Sequence, residues 1–388
     1  MRKQLGTFAL ITAIASIGGL STAQAVESKA GGVEFSGNVD VLVGYQHDDS
    51  DAIGGTSCAG VLGCNAVDAN GSGTGQLGDL RGASASNRDT FNFYLDQVEL
   101  DIQKSFGENI RLRADLDFGR ALSGSGRNTG GSNFNLEQGY VTANLPVGNG
   151  MEFLIGRFNA PIGLESVDRP DNIALSFSNI FRFVRPHNVT GAKIYYPFSD
   201  SMDLSLYVVN NLADVISFAA GTDSAIPSYG LRFGFTWGEE SKKSTLGISY
   251  AGGPEQGTND HLTHILDVDF MVHLNENFAI GGEGIYRQDN IAVPGAPNSK
   301  ALGGMLLLAY TSSETWNFDF RYGYLHDVNP TGAYTGRDQQ IHDFTLGTGY
   351  QITDDAKMKL EYRLDLHLPE VGSNSVSHGI GAEFAYNF

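Results

Sequence analysis

Cysteine is nearly missing from this chain: Cys58 and Cys64 are the only two in 388 residues. That excludes a disulfide-rich scaffold and leaves too few thiolates for a cysteine-based metal centre. Long apolar runs are missing too. Beyond the amino-terminal segment no stretch approaches the ~18 unbroken apolar residues of a membrane helix. Proline is scarce at 11 residues, so strands and helices are rarely interrupted by it. Basic residues are outnumbered, 25 Lys and Arg against 44 Asp and Glu, for a formal net charge of −19. Such a balance argues against nucleic acid as a partner. It does not signal disorder, because 41% of the residues are hydrophobic and 11% aromatic. What is plentiful is glycine, at 50 residues. A chain rich in glycine and aromatics, without a membrane helix, fits an outer-membrane β-barrel or a soluble exported β protein.

Residues 1–25 read as an export signal. Arg2 and Lys3 give the charged start, Phe8 to Leu20 is mostly apolar, and Ala23-Gln24-Ala25 offers a small-residue cleavage site. In an exported protein the short CAGVLGC spacing suggests a local Cys58–Cys64 disulfide that ties down a loop. Residues 26–388 then form one domain, with no repeat or linker to divide it.

That domain separates into about sixteen runs of a length suited to tilted membrane strands. Asn109–Phe118 is the clearest. Ile110, Leu112, Ala114, Leu116 and Phe118 share one face, and Arg111, Arg113, Asp115 and Asp117 share the other. Ala356–Leu366 alternates in the same way, as does Thr315–Leu325. Side chains alternate across a strand, so each run has one apolar and one charged face. A soluble sandwich would turn the apolar face inward. Here the charged face carries both signs densely, as a wetted inner wall would, and aromatics such as Trp237, Tyr310 and Tyr350 recur near strand ends. One run, Phe91–Lys104, changes parity near Gln97, which predicts either a β-bulge or a strand leaving the membrane.

The connectors alternate short and long. SFGEN, PVGNG, PFSD, GEESK, LNEN, TSSE and QITDD are short; 46–90, 119–133, 159–188, 211–227, 252–261, 288–299, 326–340 and 367–377 are long. Outer-membrane barrels place short turns in the periplasm and long loops outside. The predicted fold is therefore all-β: a closed antiparallel transmembrane β-barrel, surrounded by outer-membrane lipid. The last run, HGIGAEFAYNF, ends on Phe388 and resembles the carboxy-terminal signature of Gram-negative outer-membrane proteins.

About sixteen strands leave a water-filled interior. One long connector, 159–188, is unusually rich in large apolar residues, including Ile162, Leu164, Phe177, Ile180 and Phe181. Such residues need something to pack against. The loop is predicted to fold into the barrel and narrow it. Its charges, Glu165, Asp168, Arg169, Asp171, Arg182 and Arg185, are candidate constriction residues, together with Arg111 and Arg113 on the wall. Selectivity in such pores follows from diameter and from charge at the narrowest point.

The same region carries a family resemblance. Gly156, Arg157, Phe158, Pro161, Gly163 and Glu165, then Asp171-Asn172 and Thr190-Gly191, resemble a stretch of the OmpL-like β-barrel porins. The G-R-F-x-x-P-x-G-L-E part is also similar to phosphate-selective porins. The resemblance implies an outer-membrane channel for passive diffusion of small hydrophilic solutes or ions, without a cofactor. Trimers are usual among similar porins. An anion- or phosphate-selective porin and a non-conducting structural or adhesin barrel are the alternatives. An outer-membrane enzyme would need a nucleophile and base converging at one rim. His261 and His264 lie near one strand end, but no serine motif accompanies them.

Overall fold

The computed structural model describes residues 26–28, 32–48, 89–118, 134–212, 226–239, 242–255, 261–290, 298–328 and 338–388. Residues 1–25 and the segment holding Cys58 and Cys64 lie outside them. The strands are β1 (Val26–Ser28), β2 (Val33–Asp48), β3 (Asp89–Phe106), β4 (Ile110–Phe118), β5 (Phe134–Leu145) and β6 (Met151–Asn159). A 3-10 turn (Arg169–Asp171) and a short helix, α1 (Asn179–Phe183), follow. Then come β7 (Asn188–Ser199), β8 (Met202–Val209), β9 (Ser228–Trp237), β10 (Ser244–Gly253), β11 (Thr263–His273) and β12 (Phe278–Asp289). The last five are β13 (Ser299–Thr311), β14 (Trp316–Asp327), β15 (Gln339–Gln351), β16 (Ala356–Pro369) and β17 (Ser375–Asn387).

From β2 onward every strand pairs antiparallel with the next, and β17 returns to pair with β2 from Ser377↔Asp48 to Asn387↔Asn38. Sixteen strands thus close on themselves, and among the described residues only three-residue β1 stands outside the ring, paired to the start of β2. Closure satisfies every ladder hydrogen bond within the wall, which lipid requires because it offers no alternative partner. Short turns and long connectors alternate around the ring as the sequence predicts. The last connector is shorter than its expected span, 367–377. It covers 370–374, because β16 and β17 keep pairing as far as His367↔Ser375.

The two faces of the wall are inverted relative to a soluble protein. On β4, Ile110, Leu112 and Phe118 are exposed outward while Asp115 and Asp117 point inward with 0% and 2% exposure. On β16, Met358, Leu360 and Tyr362 are exposed while Lys359, Glu361, Arg363 and Asp365 are buried inside. Aromatics gather at both rims. Phe278 with Tyr310, and Trp316 with Tyr350, pair at the short-turn end with ring centroids 4.5 and 4.7 Å apart. At the loop end the Tyr250 and His264 side chains hydrogen-bond at 2.9 Å, as do Tyr322 and His342. Amphipathic rings of this kind suit the lipid–water boundary.

Of the two readings of the parity change near Gln97, the structure has the bulge, not a strand leaving the membrane. Asp40 pairs with Gln97 and Val41 with Leu95, so Asp96 is the extra residue, and both Asp96 and Gln97 point inward. A second bulge, which the sequence pattern did not announce, lies in β5. Asp115 pairs with Gln138 and Leu116 with Leu136, so Glu137 is extra and joins Gln138 on the inner face. A bulge re-aims side chains at the cost of one ladder position.

The inversion can be tested on β11. Val268 is exposed on the outer face at mid-strand. Val268→Arg is expected to lower unfolding stability in lipid vesicles by about 2–4 kcal/mol, the range for a base at the bilayer midplane. Val371→Arg, in the connector after β16, is expected to change it little in the same urea titration. Equal effects at the two positions would contradict the outward placement of Val268.

Candidate functional site

The connector from β6 to β7 runs into the barrel rather than away from it. Its neck is an extension of the β6–β7 ladder: Ala160 N–H donates to His187 O at 2.6 Å, and Asn188 and Asn159 side chains hydrogen-bond across it. Gly163, with φ +82°, turns the chain where any side chain would collide with Arg185 and Glu283. From there the loop crosses the bore and lies against the far wall, from β11 round to β3.

Main-chain groups of the loop make most of that attachment. Wall carboxylates receive its N–H groups: Asp267 accepts from Gly163 (3.2 Å), Glu283 from Leu164 (2.7 Å), and Glu361 from Leu175 (2.7 Å) and Ser176 (3.1 Å). Wall bases receive its carbonyls. Arg321 donates to Ser176 O (2.5 Å), Arg363 to Phe177 O (2.6 Å), Lys359 to Arg169 O (3.1 Å) and Arg287 to Val184 O (3.1 Å). Lys357 donates to Pro170 O as well. Bonds with an ionised partner are worth roughly 1.5–3 kcal/mol each, about twice a neutral one.

Apolar packing completes the seat. Ser178 caps α1, accepting from Phe181 N–H at 3.2 Å while its hydroxyl donates to Glu165 at 2.5 Å. Ile162, Leu164, Ile180 and Val184 are buried against Ile265, Ile285, Ala301, Met305 and Leu325, which line the loop end of β11 to β14. Full burial of such a side chain contributes about 1.5–3 kcal/mol. Two inward glycines make the room: a side chain at Gly303 would collide with Ile180, and one at Gly281 with Leu164.

The predicted loop charges fall into two groups. Arg169 is buried, 2.6 Å from the re-aimed Asp96 and over the Phe177 ring at 4.7 Å. Arg185 is also buried. It donates to Glu165 O at 2.6 Å, lies 3.9 Å from Glu283 and covers the Phe181 ring at 4.4 Å. Glu165 meets Arg321 at 2.8 Å. These three side chains are turned into the wall and act as struts. Asp171 is exposed, and Arg182 is half-buried with its guanidinium 5.3 Å from the Phe183 ring, so both lie on the loop's free edge. Asp168, also half-buried, accepts from the Gln97 amide at 3.0 Å. Burial, with Asp171 and Asp117 near, pushes the Asp168 carboxyl up to about 7.

Opposite the loop the inner wall is more open. Arg113, Tyr140, Lys193, Asp203 and Arg232 are half-exposed there. Arg113 is paired with Asp115 at 2.7 Å and Asp101 at 3.4 Å, and Arg232 is held by both oxygens of Asp269. Arg111 is exposed one residue inside β4 from the Gly107–Asn109 turn, at the mouth rather than beside the loop. The sequence reading missed the residues that anchor the loop on the far side, chiefly Glu361, Arg363, Glu283 and Arg287. Their inward parity was visible, but what they face is set by a contact more than a hundred residues distant in the chain.

A closed barrel of sixteen antiparallel strands, greasy outside and charged within, with the β6–β7 loop folded across its bore, defines an outer-membrane porin. A family model described as "Putative beta-barrel porin-2, OmpL-like" matches residues 32–382, and the chain belongs to that family. No curated protein matches the sequence. Solved structures share the fold at low identity. The outer membrane channel DcaP of Acinetobacter baumannii aligns at 13% identity and TM-score 0.63, covering 94% of this chain and 99% of that one. An anion-selective porin from Comamonas acidovorans aligns at 13% and 0.58, covering 91% and 99%. The trimer form of OmpT, an outer membrane protein of Vibrio cholerae, aligns at 11% and 0.54, covering 92% and 99%.

The glycine seat makes a test of the loop's placement. Gly303→Val is expected to lift α1 from β13 and to cost about 1–3 kcal/mol of stability, as overpacking does. Single-channel conductance should fall with it, because α1 moves off the wall into the water path. Gly284→Val, where a side chain meets nothing within 4 Å, serves as the control and should leave conductance unchanged. A Gly303→Val channel indistinguishable from the parent would place α1 elsewhere.

Proposed function

We propose that the channel passes small hydrophilic solutes and ions by passive diffusion, with a weak preference for cations set at the loop. The observation that supports this most is the state of the bases on the open wall. Arg113 and Arg232 already carry their own carboxylates, whereas the loop edge adds Asp168 and Asp171. Acids also outnumber bases in the whole chain, 44 to 25. Fields inside a low-dielectric wall are focused along the water path, so a small excess of one sign is felt by a passing ion. Glu165, Arg169 and Arg185 set the width of the path by holding the loop, and Asp168, Asp171 and Arg182 set its charge. Arg111 and Arg113 act on ions at the turn-side mouth and opposite the loop. The barrel works as a channel, not as an enzyme; no nucleophile–base pair is needed for this reading. The trimer form of OmpT shares this fold, and a homotrimer is the assembly we infer here. Residues 1–25 act as the export signal that delivers the chain.

Planar-bilayer recordings test the reading. In a salt gradient at low ionic strength the reversal potential should show cation preference. It should fade near ~1 M salt, where the Debye length is about 3 Å. Anion preference would overturn the assignment and give Arg182 control of the narrow point. The preference should also weaken as pH falls from 8 to 6, because the Asp168 carboxyl, raised to about 7, is charged above that pH and neutral below it. Asp168→Asn should remove most of that pH dependence.

Deletion of Asp168–Arg182 takes away the 3-10 turn and most of α1. Conductance of that variant should increase, and liposomes should admit larger sugars. An unchanged conductance would remove the loop from the constriction.

A further inference from the structure

We propose that Lys193 is a binding step inside the channel for organic carboxylates that carry an apolar body. Lys193 lies on the inner face of β7, opposite Leu154 on β6 and Tyr207 on β8, and is half-buried. Among the described residues no carboxylate comes within ion-pair distance of its ammonium. The guanidinium groups on the same open wall are matched, Arg113 by Asp115 at 2.7 Å and Arg232 by both oxygens of Asp269.

The strands aim this ammonium at the root of the loop. Its acid neighbour in the ladder is Glu152, opposite Tyr195, two residues toward the short-turn end. The side chain goes the other way and brings Nζ to 5.6 Å from the centroid of the Phe158 ring. Phe158 pairs with Val189, four residues nearer the loop than Lys193. Between those levels Gly156 and Gly191 face each other across β6 and β7 on the inner side, both half-exposed. With no side chain from either, the lysine stem crosses a bare strip of wall. The strip is enforced by the wall itself. A side chain at Gly156, whose φ is +140°, would collide with Tyr140, and one at Gly191 with the Val208 carbonyl. Both glycines belong to the porin-like stretch around the loop, and holding the loop gives neither of them a task.

The surroundings of the ammonium are apolar. Leu154, Phe158, Val189 and Tyr207 are packed in one buried cluster, and Tyr140 and Phe183 lie half-buried against it. A positive charge on a low-dielectric wall, with no fixed partner, draws an anion from the water path. An inorganic anion uses the charge alone. A carboxylate on a ring uses both features: its head meets the ammonium and its body covers the exposed parts of Tyr140 and Phe183. Lysine suits a transient stop, because it offers a point charge on a flexible stem rather than a two-pronged clamp.

This inference rests on the channel reading but not on the sign of the small-ion preference. Asp168 and Asp171 act on small cations at the loop edge, whereas Lys193 holds an acid at the loop's root.

Single-channel recording of the full-length barrel tests it, in about 0.1 M potassium chloride, where the Debye length is about 10 Å. Benzoate, acetate and neutral benzamide are added separately at millimolar concentration. Benzoate is expected to reduce the current saturably, with a half-blocking concentration at least tenfold below that of acetate, and benzamide to leave it unchanged. Lys193→Met keeps the length of the stem and removes the charge. It should raise the half-blocking concentration of benzoate at least tenfold and make the benzoate-free reversal potential more cation-preferring. Lys193→Arg should stay within threefold of the parent. Unchanged block in Lys193→Met, or equal block by benzoate and acetate in the parent, would overturn the inference. The comparison of probes in the parent reports even where Lys193→Met does not fold. A barrel that conducts chloride salts and ignores benzoate loses this step alone, whereas one that opens no channel loses the channel reading and this step with it.

Discussion

A peptide group in lipid has no water to bond, and that constraint governs this molecule. The ring from β2 to β17 meets it by pairing every strand on both sides, with the seam at Ser377↔Asp48 through Asn387↔Asn38. Once the ladder is closed, the period of two does the rest. Each strand presents one row of side chains to hydrocarbon and the next row to the interior. Leu360 and Tyr362 therefore sit in lipid while Glu361 and Arg363, their immediate neighbours, hold the loop.

The interior solves a second problem with the same groups. A loop folded into a barrel brings its own peptide N–H and C=O groups with it, and these need partners. Charged wall side chains supply them, acids for the N–H groups of Gly163, Leu164, Leu175 and Ser176, bases for the carbonyls of Arg169, Ser176, Phe177 and Val184. The dense mixture of signs on the wall is thus in large part scaffolding for the loop.

Much of the barrel was legible from alternation alone. Asn109–Phe118 and Ala356–Leu366 have clean two-sided patterns, and their strands are where the pattern puts them. The break at Gln97 was legible too, because an extra residue shifts parity in the letters themselves. The bulge at Glu137 was not, since Leu136, Glu137 and Gln138 keep an ordinary mixture of polar and apolar residues through it. In the loop, the excess of Phe, Ile and Leu announced burial, and Ile162, Leu164, Leu175, Phe177, Ile180 and Phe181 are buried, with Ile173 and Phe183 partly so. Which of its charges meet water was beyond the sequence. Arg169 and Arg182 look alike as letters; one is enclosed by Asp96 and Phe177, the other lies at the edge, and only distant strands decide it.

The wall grips the loop mostly by its main chain, and a main chain is the same whatever side chains it bears. Residues such as Asp171 or Arg182 can be exchanged through mutation without loosening the grip. Aperture and taste are then inherited separately: one barrel frame can keep its bore across descendants while its preference among solutes drifts.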